Sequence, residues 1–300
     1  LKILFDYLRE VQTPIVWTLH DCWAFTGKCA HYTDVACYKW QIHCNNCPQV
    51  QKYPPSLFLD KSNIMFDDKR KWFTSIENMT VIPVSNWLAN EVKKSFLNKY
   101  PIVPIYNWID FQIFRPSEKS KFNNEYRLDL NKFTLILVSA SWHIGDVKWQ
   151  DLLKLAAKLS ENHQLIVIGK IDKPELLPKN CVSINYVHGK EKLASLYSFA
   201  DAYIHLSTED TFGKVIAEAL SCGTPAIVYN STACPEIIGE GCGYVVEKRN
   251  INQVLEAINK IETNTKEFYT AKCRNHVIAH FNYSTNINQT ISVYKSMIAI

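Results

Sequence analysis

Glu209 to Pro225 reads EDTFGKVIAEALSCGTP and lies between two short apolar runs, Ala202 to Leu206 (AYIHL) and Pro225 to Tyr229 (PAIVY). Short apolar runs on either side of a segment with helical spacing predict strand, turn, helix and strand. The turn covers 208–213 and ends on Gly213, where the missing Cβ lets backbone approach a ligand. A helix follows from Lys214 to Cys222 and stops at Gly223. On it Val215, Ile216, Ala219 and Leu220 form the expected core face. Lys214, Glu218 and Ser221 form a polar stripe, with Glu218 expected to point away from the sheet. The free N–H groups at a helix start, with the positive end of the dipole, receive a phosphate. Asp210, Thr211 and Phe212 stand just before that start. One short element thus offers an anion site, a close-approach glycine and two carboxylates, Asp210 and Glu218. The plainer reading of the same residues is an Asp210 cap and a weak surface pair between Glu218 and Lys214.

The alternation extends through the second half of the chain. Strands are expected at 135–139, 164–168, 181–186, 202–206 and 225–229, and helices at 150–160, 190–200 and 214–222. Short apolar strands separated by helices predict an α/β fold with a parallel, doubly wound sheet. In the first half, Pro14 to His20 (PIVWTLH) reads as a buried strand, Val81 to Ser85 as a strand, Asn86 to Leu97 as a capped helix and Pro101 to Tyr106 as a strand. Asp67 to Phe73 (DDKRKWF) reads as a short helix in a loop-like region. His20 and Asp21 fall at the C-terminal end of the first strand, where ligands gather in open α/β sheets. Ser117 to Lys132 reads as a polar linker, and Lys266 to Phe281 and Tyr283 to Met297 as amphipathic helices that core packing alone explains. The expected organisation is two Rossmann-like domains, 1–116 and 117–283, and a closing helix at 284–300.

Of the 300 residues, 47% are hydrophobic and 21% charged, which is ordinary globular composition. The net charge of +4 is too mild to argue for nucleic acid and suits phosphate-bearing ligands or an anionic membrane surface. No run approaches about 18 uninterrupted apolar residues, and no secretion signal is visible, so the expectation is a cytoplasmic protein. Lys69, Arg70 and Lys71 beside Trp72 and Phe73 suggest contact with the inner face of the membrane, against the plainer reading of a solvated charge run. The chain opens at Leu1 inside an amphipathic segment, LKILFDYLREVQ, that leads straight into a strand. Parallel sheets normally carry strands on both sides of such a unit, so the N-terminal domain is expected to lack its first part.

Cys22, Cys29, Cys37, Cys44 and Cys47 fall in one short stretch, half of the chain's 10 cysteines. Cys44 and Cys47 form a C-x-x-C, Cys29 and Cys37 precede it, and His31 and His43 are nearby. Cys29, Cys37, Cys44 and Cys47 fit a closed structural zinc site. Disulfides in an oxidising compartment and free buried cysteines are the alternatives.

The segment Asp210 to Pro225 resembles the donor-nucleotide signature of retaining GT-B glycosyltransferases of group 1 (family 4-like): an acidic residue, seven residues, Glu, then CGTP. Asp210 stands where that family usually has Glu. EKLASLYSFADA at 191–202, PEII at 235–238 and GYVV at 243–246 resemble the family as well. The Cys-rich insert resembles one in bacterial polysaccharide enzymes related to colanic acid biosynthesis. The resemblance implies two Rossmann-like domains facing a cleft. It also implies transfer of a sugar, with retention, from a UDP- or GDP-sugar to a saccharide or lipid-linked acceptor in cell-surface polysaccharide biosynthesis.

The same resemblance implies the site. Glu218 would bind the ribose, and Asp210 with Thr211, Phe212 and Gly213 would hold sugar and phosphate. Lys148 would neutralise the diphosphate, and His20, in TLHD, would touch the donor sugar from the N-terminal, acceptor-side domain. No metal is required for that chemistry. The family's Arg near Lys148 is replaced here by Trp142 or His143, and its glycine after Asn107 by Trp108. These departures motivate a degenerate nucleotide-binding subunit as one alternative; a sugar-nucleotide epimerase of the same architecture is the other.

Overall fold

Ile15–Leu19 (β1) lies parallel to Met79–Pro83 (β2), with Ile15 opposite Met79 and Leu19 opposite Pro83, in the computed structural model, which describes residues 1–56, 58–118, 126 and 128–298. Around this pair pack the helices Lys2–Val11 (α1), Ser62–Phe73 (α2) and Asn86–Lys93 (α3). Phe5 of α1 and Trp17 of β1 meet Phe73 of α2 at ring separations of 4.6 and 4.8 Å. Aromatic pairs of this kind add about 0.5–1.5 kcal/mol beyond their area. Ser85 caps α3 by accepting from Leu88 N at 3.1 Å.

Three expectations for this region change. β1 is only half buried: Leu19 is its one fully buried residue and Thr18 is exposed. Pro101 to Tyr106 forms a single bridge to β2 rather than a strand: Val103 and Ile105 donate to Val81 and Pro83, but Pro83 has no N–H with which to donate back to Val103. The charged helix starts at Ser62, and Lys69 and Phe73 face inward. Lys69 donates to the carbonyls of Trp23 and Thr26 at 2.7 and 3.2 Å, so a membrane-facing set of Lys69, Arg70, Lys71, Trp72 and Phe73 does not form.

From Phe133 the short apolar runs become one parallel sheet. Its strands are Phe133–Trp142 (β3), His163–Ile171 (β4), Cys181–Ile184 (β5), Ala202–His205 (β6), Ala226–Tyr229 (β7) and Gly243–Val246 (β8). They lie in the order β5-β4-β3-β6-β7-β8. This is the doubly wound Rossmann order, in which the chain reverses direction across the sheet between β3 and β6. Leu135, Leu137, Leu165, Val167 and Tyr203 are fully buried, as strands covered on both faces require. The helices are Val147–Lys158 (α4), Lys190–Phe199 (α5), Lys214–Ser221 (α6), Ile251–His280 (α7), which is interrupted at Thr265, and Tyr283–Ile298 (α8).

The contacts divide the chain into two units. One holds Leu1–Asn107, Glu209–Phe212 and Ser284–Ile300; the other holds Trp108–Thr208 and Gly213–Tyr283. The first unit stops at Asn107 rather than 116, because the next residues are tied into the second. Ile109 N donates to Phe281 O at 2.9 Å, and Arg274 donates to the carbonyls of Phe111 and Phe114 at 2.6 and 2.5 Å. Much of the expected linker 117–132 lies outside the described residues. Among the described residues no helix is long and apolar enough to cross a membrane.

Candidate functional site

In the second unit the carboxyl ends of β3 and β6 mark the switch point, where open α/β sheets take ligands. Lys148 stands in the first turn of α4, just after β3. Its Nζ donates to Ser139 Oγ at 2.8 Å and lies 4.0 Å from Asp146 Oδ2. Its side chain is 24% exposed, so the ammonium is held but reachable. Neither residue expected in place of the family's Arg is an unpaired cation. Trp142 is buried, with Nε1 donating to Ile168 O at 2.9 Å, and His143 pairs with Asp172 at 3.0 Å. Ser139, as the anchor of Lys148, carries no signal in the sequence.

After β6 the chain enters α6 through Gly213, whose φ of +83° lies in the left-handed region. A Cβ there would come within 2.6 Å of Ile216 Cδ1. Gly213 is itself the N-cap and offers no side chain to the first turn. Glu218, one turn in, is 9% exposed, and no hydrogen bond to its carboxyl forms among the described residues. Burial pushes its pKa up to about 7, against the pull of the Lys214 and Lys190 ammoniums. The polar stripe expected to face solvent is therefore mostly covered. Ser221 is fully buried, and its Oγ donates to Phe114 O at 2.5 Å, because the segment after Trp108 runs over this face of the helix. Only Lys214 of the stripe is exposed.

Trp108 occupies the family's glycine position without a left-handed backbone. Its ring stands edge-on to Tyr283 at 4.7 Å and 5.7 Å from Lys214 Nζ. The conformational freedom of glycine is not needed there.

In the first unit His20 is exposed at the end of β1, and its carbonyl accepts from Thr211 Oγ1 at 2.6 Å. Asp210 is half-buried, and Phe212 is buried with its ring 6.0 Å from that of Tyr106. Glu209 Oε1 accepts from Thr33 Oγ1 and Asp34 N, both at 2.9 Å, a contact between residues 176 apart that no local pattern could reveal. Cys29, Cys37, Cys44 and Cys47 line one cavity of about 20 Å³, and all 10 cysteines carry free thiols.

Residues 125–276 match the family described as glycosyl transferases group 1. The chain belongs to that family. Over 264 residues this group 1 chain is 26% identical to a protein of Escherichia coli K12 named for a colanic acid biosynthesis glycosyl transferase, WcaC; the match covers 85% of the chain and 63% of that protein. A Bacillus anthracis protein named N-acetyl-alpha-D-glucosaminyl L-malate synthase is 28% identical over 178 residues, 56% of the chain and 46% of that protein. The chain thus spans less than two thirds of the length of these two relatives. Among solved structures, Anabaena HepE in complex with UDP-glucose superposes with a TM-score of 0.70 at 17% identity, covering 98% of this chain and 75% of that one. Sucrose-phosphate synthase of Thermosynechococcus elongatus gives 0.70 at 19% identity, covering 95% and 68%. At such identities the likeness establishes the fold, which is GT-B.

Proposed function

We propose that this group 1 chain binds a nucleotide diphosphate sugar, UDP- or GDP-linked, and transfers the sugar with retention to a saccharide or lipid-linked acceptor in cell-surface polysaccharide biosynthesis. The observation that carries this reading is Glu218, a buried carboxyl with no hydrogen-bond partner among the described residues, one turn into the helix at the switch point. A buried polar group left unpaired is costly, and a vicinal diol offers two donors that would satisfy it. The ribose of a nucleotide supplies that diol. The helix start and Lys148 supply the positive charge that a diphosphate requires.

In this reading the acceptor oxygen forms its bond to the anomeric carbon as the bond from that carbon to the phosphate oxygen breaks. The acceptor's proton passes to the departing phosphate on the same face, and Lys148 neutralises the charge that develops there. Asp210 and His20 are assigned to the sugar by the family resemblance, to be tested by Asp210→Asn and His20→Ala. The names of the colanic acid relative and of the UDP-glucose complex favour this donor and pathway class.

The test is a thermal-shift panel of UDP, GDP, ADP and their sugar conjugates against the wild type and Glu218→Ala. A ligand at about 100 times its Kd adds about 2.7 kcal/mol of stability. One base should raise the melting temperature, and Glu218→Ala should abolish the rise. A folded chain that no nucleotide stabilises would overturn the reading.

A further inference from the structure

The Cys-rich insert has little regular structure of its own: among the described residues, turns and one short 3-10 segment, Lys39–Gln41, lead from Gly27 to Ser62. Its polar groups nevertheless converge on the cavity lined by Cys29, Cys37, Cys44 and Cys47. The sulfurs of Cys29 and Cys47 lie 3.9 Å apart. A disulfide would place them at about 2 Å. A zinc ion with bonds of about 2.3 Å to four sulfurs sets them about 3.8 Å apart along each edge of the tetrahedron. At about 20 Å³ the cavity has room for a single ion.

The surroundings of that cavity point the same way. Gly27 N already donates to Cys44 Sγ at 3.2 Å. Trp40 and Ser62, each 2% exposed, also border the cavity, and Trp40 Nε1 and Ser62 Oγ have no hydrogen-bond partner among the described residues. Buried donors without acceptors are rare. Thiolate sulfurs accept such bonds, and donors of this kind orient and tune metal-bound ligands. Two buried lysines match the charge: four thiolates with one divalent ion carry a net charge of about −2. Lys28 is 3% exposed, lines the cavity and donates to the carbonyls of Gln49, Val50 and Lys52 at 3.3, 2.5 and 3.1 Å. Lys69 is 1% exposed and donates to the carbonyls of Trp23 and Thr26.

We propose that Cys29, Cys37, Cys44 and Cys47 hold one structural zinc ion as a tetrathiolate, with Gly27 N, Trp40 Nε1 and Ser62 Oγ as donors to its sulfurs. No three of these thiols lie within 4.8 Å of one another, so binding draws Cys37 and Cys44 inward onto the Cys29–Cys47 pair. The proposal stands apart from the donor assignment, because it concerns the metal content of the chain and not its activity.

The test uses the full chain purified under reducing conditions. Mass spectrometry of bound metal should find about one zinc ion per chain. Stepwise mercuration should release it as the four thiols react. Exchange with cobalt(II) alone should give the intense absorption of a tetrahedral cobalt thiolate. Cys37→Ser should lose the metal, and Cys181→Ser, outside the cluster, should keep it. If Cys37→Ser does not fold, Cys47→His decides instead: a tetrahedral site survives with an imidazole ligand, and the cobalt bands shift to shorter wavelength. A folded wild type that holds no zinc and takes up no cobalt would overturn the proposal. So would a Cys29–Cys47 disulfide in peptides mapped from the protein as isolated, or equal metal loss in Cys181→Ser.

Discussion

Glu218→Gln should make the free protein more stable and the donor complex weaker, both in a pH-dependent way. Burial holds the Glu218 carboxyl at about 7 in the folded chain, against an ordinary value of 4.5. A carboxyl whose folded pKa is raised binds more protons in the native than in the unfolded state across that window. Its contribution to stability is therefore intact below about pH 4.5 and is lost as pH rises through about 7. Above pH 7 the buried carboxylate costs about 3 kcal/mol. At about pH 5.5 roughly 2 kcal/mol of that loss has been recovered, worth about 4–8 °C in the melting temperature of a unit this size. Gln at 218 has no such term, and its amide replaces a carboxyl that also lacks partners, so Glu218→Gln should melt above the wild type at about pH 8 and close to it at low pH.

Donor binding should run the other way. If only the carboxylate accepts the ribose hydroxyls, wild-type affinity for a nucleotide sugar falls about 30-fold between about pH 8 and pH 5.5. The sugar conjugate is the right ligand, since a terminal phosphate would titrate near pH 6 and obscure the effect. Calorimetric titration in two buffers of different ionisation enthalpy should also detect proton release on binding below pH 7. Glu218→Gln should bind weakly, by about 10- to 100-fold at pH 8, and without the pH slope. A wild-type affinity that stays flat over this range, or a stability difference from Glu218→Gln that does not change with pH, would refute the argument.

Two further outcomes follow from the second unit. Lys148→Ala should weaken binding of the same nucleotide sugar by about 10- to 150-fold, the worth of one charge-assisted contact, with Lys148→Arg recovering part of it in the same titration. Gly213→Ala places a Cβ within 2.6 Å of Ile216 Cδ1 at a φ of +83°, so it should lower stability by about 1–2 kcal/mol in denaturant unfolding and weaken the donor, whereas Val215→Ala on the same helix should leave binding intact.

The parallel sheet was legible because its strands are short, apolar on both faces and separated by helices, so periodicity alone separates β from α between Phe133 and Tyr229. β8 has the weakest pattern, with Gly243 and a half-exposed Tyr244, and resemblance rather than periodicity marks it. Glu218 and Lys148 stood out by position, but their surroundings did not. The cover over Ser221 comes from Phe114, 107 residues earlier, and a helical wheel cannot show it. Lys69 reads as a surface charge because its own helix is amphipathic; the carbonyls of Trp23 and Thr26 that take it inward come from another part of the chain. Trp142, read as a stand-in for arginine, proves to be a core residue because β3 runs to Trp142 itself and carries the ring under β4.

Glu209 joins two features that the sequence keeps far apart. It opens the segment that resembles the family's donor signature, and within the first unit its carboxylate accepts from Thr33 and Asp34, which lie between Cys29 and Cys37 in the insert. Ordering a residue costs about 1–2 kcal/mol in backbone entropy, and this insert has few regular elements to offset it. Metal–thiolate bonds offset it directly, since binding energy at a site absent from the unfolded chain becomes folding energy. The zinc proposed for the four cysteines thus does more than close a loop. By fixing the segment from Cys29 to Cys37 it fixes two donors to Glu209, and through them the backbone that leads into Asp210, Thr211 and Phe212. The insert is in this sense part of the support of the segment that leads into Asp210, Thr211 and Phe212.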